Sequence, residues 1–191
     1  MSESVRRIVV GISGSSGPIY GIRMLEALRR NTDVEVHLVV TDAAMRTISL
    51  ETNWKPEGVL ALANKSYASQ DIAAPISSGS FPTHGMVVAP CSMHTLSEIA
   101  HAASTNLLTR AADVHLKERR RLILMIRETP LHPGHLRNAL LAAEAGAVIL
   151  PPIPAFYQRP KTIDDLIDHS VGKALDLLGI PHDLFQRWPG A

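Results

Sequence analysis

The chain has 191 residues, a formal net charge of +1 at pH 7, 46% hydrophobic and 19% charged residues. This composition is typical of one globular α/β domain; it excludes a disordered chain and gives no basic surplus for nucleic acid. The single cysteine, Cys91, excludes an internal disulfide and a CxxC metal site, and the nine histidines form no HExxH pair, so no metal is predicted. No apolar run approaches the ~20 residues of a membrane span, and residues 1–7 lack a signal-peptide pattern, so we expect a cytoplasmic protein.

The first predicted strand runs directly into a glycine-rich turn. Residues 8–10 form an apolar, β-branched run, Gly11, Gly14 and Gly17 then alternate with three serines, and a helical pattern starts at Ile19. Glycines let the backbone approach a ligand, and the amides of a helix N-terminus favour an anion, so we predict a phosphate site. The G-x-x-G-x-x-G spacing is neither a P-loop nor the dinucleotide fingerprint, and a tight turn without a ligand is the alternative.

A second strand is predicted at Val34–Val40, followed by a helix over residues 43–50 with Asp42 as its N-cap. The carboxyl ends of strands in a doubly wound sheet gather ligand residues, so Thr41 should lie beside the glycine-rich turn. An acid after the second strand could also hold a ribose, which leaves a nicotinamide cofactor as an alternative. Residues 53–83 show no strong period and include a small-polar loop, either exposed to solvent or covering a ligand.

Residues 85–90 are predicted to form a third, buried strand, and the helix that follows has Ser92 as its N-cap. This is a second helix N-terminus beyond a strand end, and therefore a second place for an anion. Cys91 as a nucleophile is a weaker alternative, because the sequence fixes no base beside it and lone cysteines are usually buried.

The next predicted helix, residues 106–116, ends in a charged run. Arg110 and Lys117 lie seven residues apart and therefore share one helix face, which predicts a basic face, whereas the remaining arginines fit a solvated helix end.

A fourth buried strand, residues 122–126, is followed at once by Arg127 and Glu128. Catalytic groups of α/β enzymes occupy such positions, and a surface ion pair is the alternative.

The last third of the chain is predicted to contain a helix over residues 135–145, a strand over residues 147–150 and a final helix capped by Thr162. Aromatic residues make up only 4% of the sequence, so the aromatic residues in its polar loops are conspicuous. Such residues often cover flat ligands or seal subunit contacts. They are Phe156, Tyr157 and Trp188.

Together these motifs resemble the UbiX-like flavin prenyltransferases, also described as phenylacrylic acid decarboxylases or small subunits of aromatic acid decarboxylases. The glycine-rich turn alone is a weak signal, but the series covers nearly the whole chain in order and is specific. The matching stretches are GISGSSGPIYG (11–21), LET (50–52), SSGS (77–80), APCS (89–92), NLLTRAADVHLKERR (106–120), IRETPL (126–131), ILPPIPAFY (149–157) and the closing RW.

The resemblance implies an α/β fold: a Rossmann-like, flavodoxin-type three-layer sandwich with a parallel sheet, in one FMN-binding domain of residues 1–191. It implies transfer of a dimethylallyl group from dimethylallyl phosphate to N5 of reduced FMN, then ring closure onto C6, without a metal. It also implies a homododecamer that passes prenylated FMN to a UbiD-type decarboxylase, although the aromatic acid used by that decarboxylase stays open.

The resemblance also implies roles for individual residues. The implied FMN contacts are Gly14, Ser15, Ser16, Thr41, Ser92 and Arg127. The implied contacts to the dimethylallyl phosphate are Arg110, Lys117, Tyr157 and Lys173. Glu128 matches the acid/base, Glu51 a second acidic residue and Trp188 an aromatic wall. Relatives commonly carry an arginine where this chain has Lys173, and lysine lacks the bidentate fork, so a monophosphate or a diphosphate donor stays open.

Two alternatives belong to other functional classes. The first is a flavin-dependent cysteine decarboxylase, whose chemistry does not require the basic set of Arg110, Lys117 and Tyr157. The second is a non-catalytic flavin-binding subunit, against which Arg127 and Glu128 at a strand end argue.

Overall fold

The computed structural model describes residues 5–188 and residue 190, and in it six strands form one sheet with the order β3-β2-β1-β4-β5-β6. Every neighbouring pair of strands is parallel. The strands are β1 Arg6–Ile12, β2 Val34–Val40, β3 Lys65–Ala68, β4 Gly85–Cys91, β5 Arg121–Ile126 and β6 Val148–Ile149. The helices are α1 Ile19–Arg29, α2 Asp42–Glu51, α3 Pro56–Leu60, α4 Met93–Ala100, α5 Leu107–Lys117, α6 Pro133–Glu144 and α7 Ile163–Leu178, with short 3₁₀ turns at Pro75–Ser77 and Phe156–Gln158.

The strand order reverses between β1 and β4. The chain builds outward from β1 to β2 and β3, and then returns to the other side of β1 with β4. Without the four-residue edge strand β3, the remaining five strands follow the order of the flavodoxin type, which confirms the predicted fold class. In open α/β sheets ligands bind beyond the strand carboxyl ends at such a reversal.

Helices cover both faces of the sheet. Side chains alternate along each strand, so that Ile8 and Val10 face the core shared with α1 and α7, whereas Val9 faces the core shared with α4 and α5. Each fully buried aliphatic side chain contributes roughly 1.5–3 kcal/mol through removal of its surface from water. These two cores hold the sheet rigid and fix the positions of the loops at its carboxyl edge.

Most predicted elements are confirmed with shifts of one or two residues at their ends, but two details differ. The N-cap of α2 is Thr41, whose Oγ1 accepts from the Ala44 amide at 3.2 Å; Asp42 is already helical. The irregular stretch 53–83 contains α3 and β3, which carry too few apolar residues to show a period.

No helix in the described part of the chain is long and apolar enough to cross a membrane.

Candidate functional site

A cavity of about 440 Å³ lies at the carboxyl edge of the sheet, where the strand order reverses. It is bordered by residues that follow β1, β2 and β4, the three strands that meet there. Its lining consists of Gly14, Thr41, Asp42, Ala43, Ser69, Gln70, Ser92, His94, Thr95 and Asn106. The structure therefore brings together three of the predicted flavin residues, Gly14, Thr41 and Ser92, at one place.

Ser13 joins the turn after β1 to the end of β4. Its hydroxyl donates to the Pro90 carbonyl at 2.8 Å and accepts from the Ser92 amide at 2.8 Å, and the residue is buried. In the sequence Ser13 is only one of three serines in the glycine-rich turn, and this role was not predicted. The available signal was its position directly after a buried strand.

Gly14 is required by close packing rather than by its backbone angles. A Cβ atom built on Gly14 would lie 2.4 Å from the Cβ of Ala43, the second residue of α2. Any larger side chain would therefore push the turn away from α2 and distort the wall of the cavity.

The N-terminus of α4 borders the cavity, as predicted. The Ser92 hydroxyl accepts from the Thr95 amide at 3.2 Å and is 3.1 Å from the Thr95 hydroxyl, which confirms Ser92 as the N-cap. The first-turn amides of a helix have no intrahelical acceptor, and the helix dipole gives this end a partial positive charge. Hydroxyls and amides of this kind are suited to a phosphate.

The N-terminus of α1 already holds an anion, the carboxylate of Glu51 at the end of α2. Oε2 of Glu51 accepts from the Gly17 amide at 2.8 Å and from the Ser16 hydroxyl at 3.0 Å. Pro18, the N-cap of α1, gives no side-chain hydrogen bond, and Glu51 binds the two residues of the turn that precede it. The predicted anion site is therefore restricted to one end of the turn. The Gly17 end already binds the Glu51 carboxylate, whereas the Gly14 end faces the cavity.

Ser15 and Arg127 connect the turn to the end of β5. The Ser15 hydroxyl donates to the Arg127 carbonyl at 2.9 Å, and the Arg127 amide donates to the Cys91 carbonyl at 3.1 Å. Burial raises the pKa of Tyr20, and the nearby Arg127 guanidinium opposes this shift. The guanidinium of Arg127 is therefore close enough to Tyr20 to influence its ionisation.

Glu128 is exposed at the lip of the sheet. Its Oε1 accepts from the amide of the next residue, Thr129, at 3.0 Å. Among the described residues Glu128 forms no salt bridge with Arg127, so the surface ion pair considered from the sequence is not formed.

Cys91 lies at the end of β4 and is fully buried. Burial raises the pKa of its thiol far above the usual range, so the thiolate needed for nucleophilic attack does not form. This geometry gives no support to the alternative of a cysteine nucleophile.

Arg110 and Lys117 lie on α5, whose N-terminus is at the carboxyl edge of the sheet. The Leu107 amide donates to the carbonyl of Ser69, directly after β3, and the helix then runs to the amino edge, where β5 begins. Arg110 is near the start and donates to the Ser77 carbonyl at 3.2 Å and to Asp113 at 2.8 Å. Lys117 is the last helical residue and therefore lies at the amino edge, away from the cavity.

Tyr157 and Trp188 contact each other on the face of the sheet that α7 covers, which is opposite to the face that α5 covers. Their rings meet edge to face with centroids 6.1 Å apart, and the Tyr157 hydroxyl is 3.0 Å from Nε2 of His169 on α7. Lys173 lies one turn further along α7; burial, and after it the charge of Lys173, lowers the pKa of His169. The aromatic pair borders a second cavity of about 460 Å³, lined also by Phe156, Gln158, Arg159, Gln186 and Arg187.

The predicted donor residues thus fall into two groups within one chain. Tyr157 and Lys173 are on the α7 face, and Arg110 and Lys117 are on the α5 face. The structure places Tyr157 against His169 of α7, one turn before Lys173, and leaves the second group on the other side of the sheet.

Comparisons with known proteins give one consistent result. The family described as Flavoprotein matches residues 1–175. Flavin prenyltransferase UbiX of Escherichia coli K12 is 58% identical over 189 residues, which is 98% of this chain and 100% of that protein.

Solved structures agree with this match. The crystal structure of AnUbiX (PadA1) in complex with FMN and dimethylallyl pyrophosphate has 52% identity and a TM-score of 0.95, covering 97% of this chain and 98% of that chain. The dodecameric FMN-dependent Ubix-like decarboxylase from Escherichia coli O157:H7 has 46% identity and a TM-score of 0.94, covering 96% of this chain and 100% of that chain. The FMN-dependent cysteine decarboxylase TvaF has 18% identity and a TM-score of 0.66 over 91% of this chain and 98% of that chain, which shows a shared fold alone.

Proposed function

The chain belongs to the Flavoprotein family and, within it, to the UbiX-type flavin prenyltransferases, and on this premise we propose the reaction that it catalyses. A dimethylallyl group is transferred from dimethylallyl phosphate to N5 and C6 of reduced FMN, which yields prenylated FMN. One observation carries this proposal: the similar AnUbiX structure is in complex with FMN and dimethylallyl pyrophosphate. The cysteine decarboxylase TvaF covers a similar share of the chain but at 18% identity, against 58% for the flavin prenyltransferase UbiX of Escherichia coli K12.

The residues at the strand reversal fit the phosphate of FMN. Thr41 and Ser92 supply hydroxyls, Gly14 leaves space beside α2, and the α4 N-terminus supplies amides and a partial positive charge. Ser15 and Arg127 form the neighbouring wall at the end of β5. Reduced FMN, when bound, supplies the nucleophilic N5 and C6 positions.

Departure of the phosphate needs cations and an acid. Arg110, Lys117 and Lys173, with the Tyr157 hydroxyl, stabilise the charge that develops on the leaving phosphate by fixed electrostatics. Glu128 at the lip of the sheet donates a proton to that phosphate and, as a carboxylate, accepts one from the flavin.

The prenyl group becomes positively charged as the C–O bond breaks. The face of Trp188 stabilises this charge through its π-electrons. The carboxylate of Glu51, held by Ser16 and the Gly17 amide, supplies a fixed negative charge at the start of α1. Because these two hydrogen bonds hold the Glu51 carboxylate in place, we assign it an electrostatic role and assign proton transfer to the exposed Glu128.

The separation of the donor residues supports a homo-oligomer. One phosphate can contact Tyr157 and Lys117 together only when a second copy of the chain places its α5 against the α7 face. Exposed leucines on α6, Leu136 and Leu140 (56% and 59% exposed), together with Phe156 (74% exposed), offer apolar surface for such contacts. We propose a dodecamer, as in the similar Escherichia coli O157:H7 structure.

Prenylated FMN is the product that a UbiD-type decarboxylase would take up, and we place the reaction in the cytoplasm.

The proposed function is tested by incubating the protein anaerobically with reduced FMN and dimethylallyl phosphate. The protein-free filtrate is then added to a cofactor-free UbiD-type decarboxylase. Decarboxylation of an aromatic acid is expected. A filtrate with no effect, beside a positive control with authentic prenylated FMN, would contradict the proposal.

A further inference from the structure

The side chain of Tyr157 is exposed, yet its hydroxyl has a fixed partner. Tyr157 lies in a single 3₁₀ turn, and 58% of its surface is accessible. Its Oη is 3.0 Å from Nε2 of His169, and the two rings meet edge to face with centroids 5.7 Å apart. An exposed phenol on a short turn would otherwise rotate freely, so this contact sets the direction of the hydroxyl.

We propose that His169 is a positioning residue for the donor phosphate and acts through Tyr157. The inference rests on the proposed function, in which Tyr157 binds that phosphate. A phenol has a single proton. When the Nε2–H of His169 donates to Oη of Tyr157, the phenolic proton can be donated to the phosphate. When Nε2 accepts instead, Tyr157 donates that proton to His169 and has none left for the phosphate. A bound anion favours the first arrangement because it can only accept.

His169 is itself held in place by rigid surroundings. It lies in the middle of α7, and its ring packs against Phe185 of the C-terminal segment with centroids 4.9 Å apart. Burial and the charge of Lys173 lower its pKa, and Asp176 opposes this shift. The imidazole of His169 is therefore neutral at pH 7. Lys173 provides the positive charge near His169, and His169 orients the hydroxyl of Tyr157.

The test measures binding of dimethylallyl phosphate to protein loaded with oxidised FMN, which cannot turn over, by isothermal titration calorimetry. His169→Leu should weaken donor binding about tenfold, the upper range for one hydrogen bond. His169→Gln should recover most of the affinity, because its amide can donate to the same oxygen. FMN affinity should stay unchanged in both variants, and His101→Leu, an exposed histidine at the end of α4, is the matched control.

A double-variant comparison separates positioning from folding. In the Tyr157→Phe background, His169→Leu should cause no additional loss of donor binding. Two results would overturn the role of His169 while leaving the proposed function intact. In the first, the losses of donor affinity caused by Tyr157→Phe and His169→Leu multiply in the double variant; in the second, His169→Leu protein has normal donor affinity. Tyr157→Phe protein with normal donor affinity would overturn both this inference and the place of Tyr157 in the proposed function.

The kinetic readout must agree with the binding data. We expect His169→Leu to raise the KM for dimethylallyl phosphate by about the same tenfold factor, with kcat changed less than about threefold. A fall in kcat with an unchanged KM would overturn a positioning role.

Discussion

At the scale of single residues, the two acidic side chains of the site differ in their surroundings. The carboxylate of Glu51 is fixed by two hydrogen bonds at the start of α1, whereas that of Glu128 is exposed and accepts only from the neighbouring Thr129 amide among the described residues. A proton shuttle must reach both the leaving phosphate and the flavin, whereas the Glu51 carboxylate is already held by the Ser16 hydroxyl and the Gly17 amide. The structure therefore favours Glu128 as the acid/base.

Replacement of Glu128 by glutamine tests this assignment. Glu128→Gln should fold and bind FMN, and its rate of prenylated-FMN formation should fall by roughly 10²–10⁴, the usual loss for a general acid/base. Single-turnover spectra under anaerobic conditions measure the rate, with Glu57→Gln, an exposed residue of α3, as control. A near-normal rate in Glu128→Gln would transfer the proton-transfer role to another acid, with Glu51 the first candidate.

Ser92 allows the charge of the phosphate site to be changed without loss of the helix cap. Aspartate and asparagine are both as good N-caps as serine, so Ser92→Asp and Ser92→Asn should have similar thermal stability. Ser92→Asp places a negative charge against the FMN phosphate, and like charges in contact cost several kcal/mol, so FMN affinity should fall at least about 100-fold. Quenching of FMN fluorescence measures the affinity. Equal FMN affinities in the two variants would place the phosphate elsewhere.

At the scale of elements, α5 combines a buried face with a basic one. His115 is fully buried on this helix; its Nδ1 is 2.7 Å from the Ala111 carbonyl, and its Nε2 is 2.9 Å from the Thr83 hydroxyl. Burial lowers the pKa of His115 to about 4. The helix is thus anchored by a neutral histidine, while Arg110 and Lys117 remain on its more exposed side.

This anchor predicts a pH dependence of stability. The folded-state pKa of His115 lies below the unfolded value of 6.5, so its contribution is complete above pH 6.5 and is lost as the pH falls toward 4. The loss between pH 7 and pH 5 should be about 2 kcal/mol, from 1.36 kcal/mol per pKa unit. Urea unfolding at both pH values measures it, with His115→Gln for comparison. The same pH dependence in both proteins would contradict the assignment.

At the scale of the whole molecule, much of the fold was predictable because long apolar strands show a clear period. The strand β2 has its predicted bounds, and Thr41 and Ser92 were found because strand ends of a parallel sheet converge. The strand β3 was missed because its residues are mostly exposed and polar. The contact between Glu51 and Gly17 joins residues 34 positions apart, which no local pattern reveals. Helical periodicity predicted that Arg110 and Lys117 share one helix face, but it could not predict on which side of the sheet that helix lies.

The separation of the two donor groups predicts that a site is shared between subunits. Lys117→Ala should weaken donor binding while FMN binding remains, and Arg119→Ala in the same charged run is the matched control. Coexpression of Lys117→Ala with Tyr157→Phe should give mixed oligomers in which some sites are intact, so part of the activity should return. No recovery in mixed oligomers would contradict the shared site.

Mass spectrometry of the flavin shows whether the protein transfers a prenyl group to FMN. The protein is incubated anaerobically with reduced FMN and dimethylallyl phosphate, and the extracted flavin is compared with that from a reaction without the donor. We expect a new flavin whose mass exceeds that of FMN by one five-carbon prenyl unit, formed only when protein and dimethylallyl phosphate are both present. Recovery of FMN alone from the complete reaction would contradict it.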